Sequence, residues 1–276
     1  MIIEIIAPSG FCYGLKRAIE LLKQKHAEGS SLYYLYPLLN NEKELQKIID
    51  EFSLIKLPRI EAARDIKNGL VIFPAHGAKH DDVAFLKKHQ IKFFELTCPF
   101  VANNYQRLLK ETRKKYFLGK KDHMETKVAM SFGPDIIPLY LDVSHVGSLD
   151  GKNAIIYLQT TLNKEEVDDF VKKHFDTPPE ISYVSICPEP ERRIKEALEA
   201  SSRNDLILVL GSKSSSNANK LLSSLKEKRH ALLLSSEDEL KFLPLRKYSR
   251  ILLTSGTSTS EAEINEVNRK LEALVD

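Results

Sequence analysis

Short apolar, β-rich runs alternate along the chain with stretches whose apolar residues recur every three to four positions. Ile2-Ile3-Glu4-Ile5-Ile6 reads as a strand, and YGLKRAIELLKQKH from Tyr13 reads as an amphipathic helix. The same change of period comes twice more. Lys92-Phe93-Phe94-Glu95-Leu96 leads into VANNYQRLLKETRKK, and Ile181-Ser182-Tyr183-Val184-Ser185-Ile186 leads into EPERRIKEALEASS. A cysteine stands near each handover: Cys12, Cys98 and Cys187, separated by 86 and 89 residues. Near-equal spacing of like elements marks an internal repeat.

The repeat continues past each cysteine. Second strands are predicted at 32–39, 115–118 and 205–210, each ending in a polar loop that carries Asn40, His123 or Ser215. Third strands are predicted at 70–73, 154–158 and 250–253, ending in Ala75-His76-Gly77, Gln159-Thr160-Thr161 and Ser255-Gly256-Thr257-Ser258. The pattern predicts an α/β fold of three modules, 13–97, 98–186 and 187–276, the last completed by strand 1–12. Strands alternating with helices imply mainly parallel sheets with right-handed crossovers. Such sheets bind ligands outside the carboxyl ends of their strands, where the cysteines and polar loops fall. Modules related by a pseudo-threefold axis would bring these loops to one central cavity.

Composition narrows the setting. The chain has 276 residues, 42% hydrophobic, which is enough for a proper core. No apolar run approaches the roughly 18 residues of a membrane helix. The N-terminus has an acidic residue and no basic region, so it does not read as a signal peptide, and a cytoplasmic location is expected. Three cysteines make a poor disulfide framework in a reducing compartment. The net charge is +3 with Lys and Glu interleaved, so nucleic acid is not an expected partner.

A thiolate at a helix N-terminus is poised to ligate a metal. Structural zinc usually takes four ligands with short C-x2–4-C pairs, and none occurs here. Three thiolates on a four-iron cluster would leave one iron open, as a catalytic site requires. A catalytic zinc on three cysteines is the competing chemistry, and small buried hydrophobes the plain alternative. Gly211-Ser212-Lys213-Ser214-Ser215-Ser216-Asn217 and Ser255-Gly256-Thr257-Ser258-Thr259-Ser260 each precede a helical pattern and suit an anion. Neither has Walker spacing, and each also reads as a helix N-cap. His76 and His123 fall in repeat-matched loops and suit anion contact. Glu125, the carboxylate of this inner set, suits proton delivery.

Several motifs, in this order and spacing, resemble the LytB/IspH family of 4-hydroxy-3-methylbut-2-enyl diphosphate reductases of the non-mevalonate isoprenoid pathway. They are Pro8-Ser9-Gly10-Phe11-Cys12-Tyr13-Gly14, Ala75-His76-Gly77, Thr97-Cys98-Pro99-Phe100-Val101, Gln159-Thr160-Thr161-Leu162, and Gly211-Ser212-Lys213 with Ser215-Ser216-Asn217. The resemblance implies three modules around a [4Fe–4S] cluster held by Cys12, Cys98 and Cys187, with one open iron taking the substrate hydroxyl. It implies that Asn40, His76, His123, Ser215, Ser216, Asn217 and Ser258 hold a diphosphate. Glu125, Thr160 and His123 would carry the catalytic proton chemistry, and ferredoxin or flavodoxin would deliver electrons singly.

The departures lie at the ligand. Asn40 stands where the family has histidine, and an amide carries no positive charge. The segment Gly119-Lys120-Lys121-Asp122-His123-Met124-Glu125 replaces Gly-His-x-Gly-His-Pro-Glu. Pro188-Glu189-Pro190-Glu191-Arg192-Arg193-Ile194 replaces Tyr-Ala-Thr-Thr-Asn-Arg-Gln. Lys79, Lys120 and Lys121 either restore the missing charge or are solvated surface lysines. Two further readings follow: a divergent paralogue acting on another small anion with the same cluster, and a non-enzymatic iron–sulfur sensor.

Overall fold

The computed structural model describes residues 1–39, 41–143, 148–213, 215–227 and 229–274. Among them every strand pairing is parallel, and three four-stranded sheets form with one two-stranded pair, Phe175–Thr177 on Leu149–Asp150. The chain divides into two compact units.

One unit comprises 1–16, 39–51 and 188–276. Its sheet runs in the order Ile2–Ile5, Arg250–Ser255, Leu206–Leu210, Ala231–Leu234. The strand Leu206–Leu210 is wholly buried and wholly apolar, as a parallel strand covered on both faces must be. Ile207, Val209 and Leu252 pack with Ala197 and Ala200 of Glu189–Ser201 and with Leu221 and Leu225 of Ser216–Lys226. Leu206, Leu208, Leu210 and Leu253 face Ile264, Val267 and Leu271 of Glu261–Ala273. The helix Glu42–Glu51 also belongs to this unit. Asn41 caps it, its Oδ1 accepting the Glu44 amide at 3.3 Å while its Nδ2 donates to the Ser258 carbonyl at 3.3 Å.

The other unit comprises 17–38 and 52–187. One sheet is ordered Ile55–Lys56, Leu32–Tyr34, Leu70–Phe73, Phe93–Glu95. The second is ordered Glu180–Ile181, Ala154–Leu158, Lys114–Gly119, Ile136–Tyr140. Tyr116, Leu118, Ile156 and Leu158 pack against Val167 and Phe170 of Lys164–His174. On the other face, Phe117, Ile155 and Tyr157 meet Val101, Tyr105 and Leu108 of Pro99–Lys110 and Val128 and Ala129 of Met124–Met130.

Several element ends differ from expectation, three of them most, each for a local reason. The strand at 32–39 stops at Tyr34, shortly before Pro37, which has no ladder donor. The helix after Cys98 stops at Lys110, because Glu111 is extended and its Oε1 accepts the amides of Thr112 and Arg113. The run 181–186 pairs only through Ile181. Its Ser182 amide makes one more bond to the Ile156 carbonyl, and Tyr183–Ser185 then form a 3-10 turn. Among the described residues, no helix is long and apolar enough to cross a membrane.

Candidate active site

All three cysteines are thiols, and all are half-buried. The carbonyls of Cys12 and Cys98 accept the first helical bonds, from Lys16 and Ala102 at 2.9 Å each, so both residues stand at the N-cap position. Cys187 precedes Pro188, the N-cap of Glu189–Ser201. The repeat seen in the sequence returns as one shared hydrogen bond. The Cys98 amide donates to the Ala75 carbonyl at 2.9 Å, the Cys187 amide to Thr160 at 2.8 Å, and the Cys12 amide to Thr257 at 3.1 Å. Each acceptor lies in the loop after a third strand. The sharp turn at Ala75-His76-Gly77 is made with Gly77 at φ +97°, the left-handed region that glycine alone enters freely.

Glu125 is the centre of the acid–base cluster in 17–38 and 52–187. It is 2% exposed. Its Oε1 accepts the Thr160 hydroxyl at 2.8 Å, and its Oε2 accepts the Thr160 amide at 2.8 Å. His76 Nδ1 stands 3.7 Å from Oε1, and the rings of His76 and His123 meet edge to face with centroids 5.3 Å apart. Burial alone would raise the Glu125 pKa. The His76 imidazole, the neighbouring His123 and the Thr160 amide outweigh it and hold the carboxyl below its ordinary value. Glu125 is therefore ionised near neutral pH.

His123 is the N-cap of Met124–Met130, with Nδ1 accepting the Glu125 amide at 3.3 Å. That bond assigns the neutral tautomer with its proton on Nε2. Burial lowers the His123 pKa to about 4 against the opposing pull of Glu125, and His76 and Lys120 lower it further. His123 thus offers an anion a neutral N–H donor. His76, His123 and Glu125 also present ligand atoms within 4.8 Å of one another, a spacing compatible with a metal ion after small shifts. The carboxylate's two bonds to Thr160 favour the acid–base reading.

The serine loops lie in 1–16, 39–51 and 188–276. Ser215 caps Ser216–Lys226, its hydroxyl accepting the Ala218 amide at 3.3 Å. Ser260 likewise caps Glu261–Ala273 from the Glu263 amide at 3.1 Å. N-capping therefore accounts for both. Asn217 Nδ2 donates to Thr257 Oγ1 at 2.7 Å, tying the two loops together, and the Ser258 carbonyl takes the Asn41 amide. Ser258 is half-buried. Ser216 opens the helix, and its side chain lies outside the described structure, as does Asn40. Lys120 and Lys121 are exposed, and the Lys79 ammonium sits 5.2 Å from the centre of the Tyr36 ring.

Residues beyond the candidate site set hold this site in place. Tyr105, buried on the helix after Cys98, has its Oη 2.8 Å from the His76 carbonyl and 3.1 Å from the Glu125 carbonyl. Asn104 donates to the Leu158 carbonyl at 2.8 Å and accepts the Ser185 hydroxyl at 2.5 Å. Gln159 Oε1 accepts the Lys120 amide at 2.9 Å, which fixes the turn leading to His123. The signal for Asn104 was present: Val101, Asn104, Tyr105 and Leu108 form one helical face, and Asn104 is an amide among core-facing residues.

A family model described as LytB protein matches residues 3–272. The 4-hydroxy-3-methylbut-2-enyl diphosphate reductase of Petrotoga mobilis is 28% identical over 274 residues, covering 97% of this chain and 96% of its own. The enzyme of the same name from Thermotoga maritima is 29% identical over 272 residues, covering 96% and 94%. The solved structure of the E-1-hydroxy-2-methyl-but-2-enyl-4-diphosphate reductase from Plasmodium falciparum superposes with a TM-score of 0.78 at 25% identity, covering 97% of this chain and 87% of that one.

Proposed function

The chain belongs to the LytB protein family, and we propose that it reduces 4-hydroxy-3-methylbut-2-enyl diphosphate, the substrate for which its relatives are named. In the net reaction two electrons and two protons enter, the allylic hydroxyl leaves as water, and isopentenyl and dimethylallyl diphosphate form. The observation that carries this reading is the buried Glu125 carboxylate gripped at both oxygens by Thr160 beside two histidines.

An iron–sulfur cluster is part of the proposal, with Cys12, Cys98 and Cys187 as ligands of a [4Fe–4S] group that keeps one iron open. The donor set fits it. Three half-buried thiols stand at helix starts, each on a backbone fixed by its own amide. When bound, the group supplies a Lewis acid and a path for single electrons. The protein does the rest. Asn40, His76, His123, Ser215, Ser216, Asn217 and Ser258 hold the diphosphate. An anion laid against His76 and His123 opposes the charge on Glu125 and raises its affinity for a proton. Glu125 then takes up a proton and passes one through Thr160 Oγ1 to the departing hydroxyl. Ferredoxin or flavodoxin is the proposed electron donor, in the cytoplasm. The division into three modules, 13–97, 98–186 and 187–276 with 1–12, is carried in the same proposal.

The test is anaerobic reconstitution followed by turnover of the hydroxymethylbutenyl diphosphate. A full cluster without turnover would overturn the proposal, and so would stoichiometric zinc in place of iron. The substitution at Asn40 favours a second reading, another small anionic substrate on the same group. Asn40→His raises diphosphate turnover under the first reading and leaves it unchanged under the second.

A further inference from the structure

Arg193 is 2% exposed, and a buried guanidinium depends on its ion pair and hydrogen bonds; its Nη2 lies 3.0 Å from Glu189 Oε1 but makes no hydrogen bond. It sits on Glu189–Ser201, and Glu189, four residues earlier, accepts its Nε at 3.0 Å. Its Nη1 donates to two successive carbonyls, Ser255 at 3.1 Å and Gly256 at 3.0 Å. The Ser255 hydroxyl also accepts the Gly10 amide at 3.0 Å, two residues before Cys12.

The loop so gripped has three further tasks. The Thr257 carbonyl holds the Cys12 amide, Thr257 Oγ1 takes the Asn217 amide, and the Ser258 carbonyl takes the Asn41 amide. We propose that Arg193, anchored by Glu189, is a positioning residue that sets the 255–258 loop, and through it both the Cys12 thiol and the anion-binding pair Asn217 and Ser258. This rests on the function proposed above. A planar guanidinium held by Glu189 on one side spans two consecutive carbonyls in one orientation. A lysine ammonium keeps the charge but has no second nitrogen to hold Glu189 while meeting both carbonyls.

The experiment compares reconstituted wild type, Arg193→Lys, Glu189→Gln and the double variant. It measures affinity for inorganic pyrophosphate, the rate at which a chelator removes iron, and thermal stability. In Arg193→Lys, pyrophosphate binding weakens by about tenfold or more, as expected when a charge-assisted contact to the loop is lost. Iron loss accelerates in parallel. Glu189→Gln moves both readouts the same way by less, and the double variant is no worse than Arg193→Lys alone. A purely structural arginine would lower thermal stability and leave pyrophosphate affinity and iron release within twofold of wild type, and that result overturns the proposal. If Arg193→Lys does not fold, Glu189→Gln decides by the same two readouts. Failure of the proposed function is separate: the wild type itself then fails to turn over the hydroxymethylbutenyl diphosphate.

Discussion

Replacing Thr160 with valine removes one hydroxyl from beside a buried carboxylate and keeps the side chain's shape. In the wild type both Glu125 oxygens are met by Thr160, at 2.8 Å each. The variant keeps the amide on Oε2 and loses the hydroxyl on Oε1, leaving that oxygen with His76 Nδ1 at 3.7 Å. A hydrogen bond to a charged group contributes about 1.5–3 kcal/mol. Glu125 is only 2% exposed, so water does not replace it freely, and the expected loss lies in that range. Losing that bond to the charged form raises the Glu125 pKa. The folded pKa in wild type is depressed. Its stabilising contribution is therefore present above the unfolded carboxyl pKa and is lost as pH falls through the folded value. Valine raises the folded value. The stability gap between wild type and variant is thus full near neutral pH and closes as pH falls through the carboxylate range. Urea unfolding of both proteins at neutral and at mildly acid pH measures the gap. An equal gap at both pH values assigns the loss to packing, and no gap at neutral pH removes Thr160 from the support of the carboxylate. Either result refutes the reasoning. Thr160→Ser, which restores the hydroxyl, closes the gap.

Three other outcomes follow from the same geometry. Pyrophosphate binding to the reconstituted protein takes up protons, seen as a dependence of the calorimetric heat on buffer ionisation enthalpy, and Glu125→Gln reduces that uptake and lowers kcat by about a hundredfold or more. His123, depressed to about 4 by burial, takes its proton late in the folded state. Its contribution is intact above the unfolded histidine pKa of about 6.5 and falls away by about 3 kcal/mol as pH drops toward 4. Asn at 123 keeps the helix cap and flattens that slope in denaturant titrations; a slope unchanged in His123→Asn places its source elsewhere. Gly77→Ala puts a Cβ 2.9 Å from the Tyr105 ring at a φ of +97°, and costs about 1–3 kcal/mol by thermal unfolding. Wild-type stability in that variant would show that the turn relaxes without strain.

Much of this was legible in the chain. The strands Leu70–Phe73 and Ala154–Leu158 match their expected bounds residue for residue, because continuous apolar runs leave a buried parallel strand no other place. The position of each cysteine before a helix was equally plain, since the period changes there. What stayed hidden depended on partners far along the chain. Tyr105 looks like one more aromatic on a core-facing stripe until the His76 and Glu125 carbonyls meet its hydroxyl. Glu125 reads as a first-turn glutamate, and nothing local says that it is buried and ionised. The 3-10 turn before Cys187 has a strand-like sequence, because Tyr183 and Val184 favour strands, while the bond from Ser185 to Asn104 that accompanies the turn is not local. Ser215 and Ser260 show the opposite case: a local capping pattern that the structure fulfils as such.

The three amide bonds of the cysteines give the repeat a physical meaning beyond spacing. Cys98 is tied to Ala75, one residue before His76. Cys187 is tied to Thr160, which grips Glu125. Cys12 is tied to Thr257, one residue before Ser258. Each thiol is thus separated by one hydrogen bond and at most one peptide unit from a group proposed to handle the substrate. A backbone shift in a third-strand loop moves both members of its pair, so ligand geometry and substrate geometry cannot be tuned independently. Sequence drift that preserved activity would be confined where the loops are tied and free where they are not.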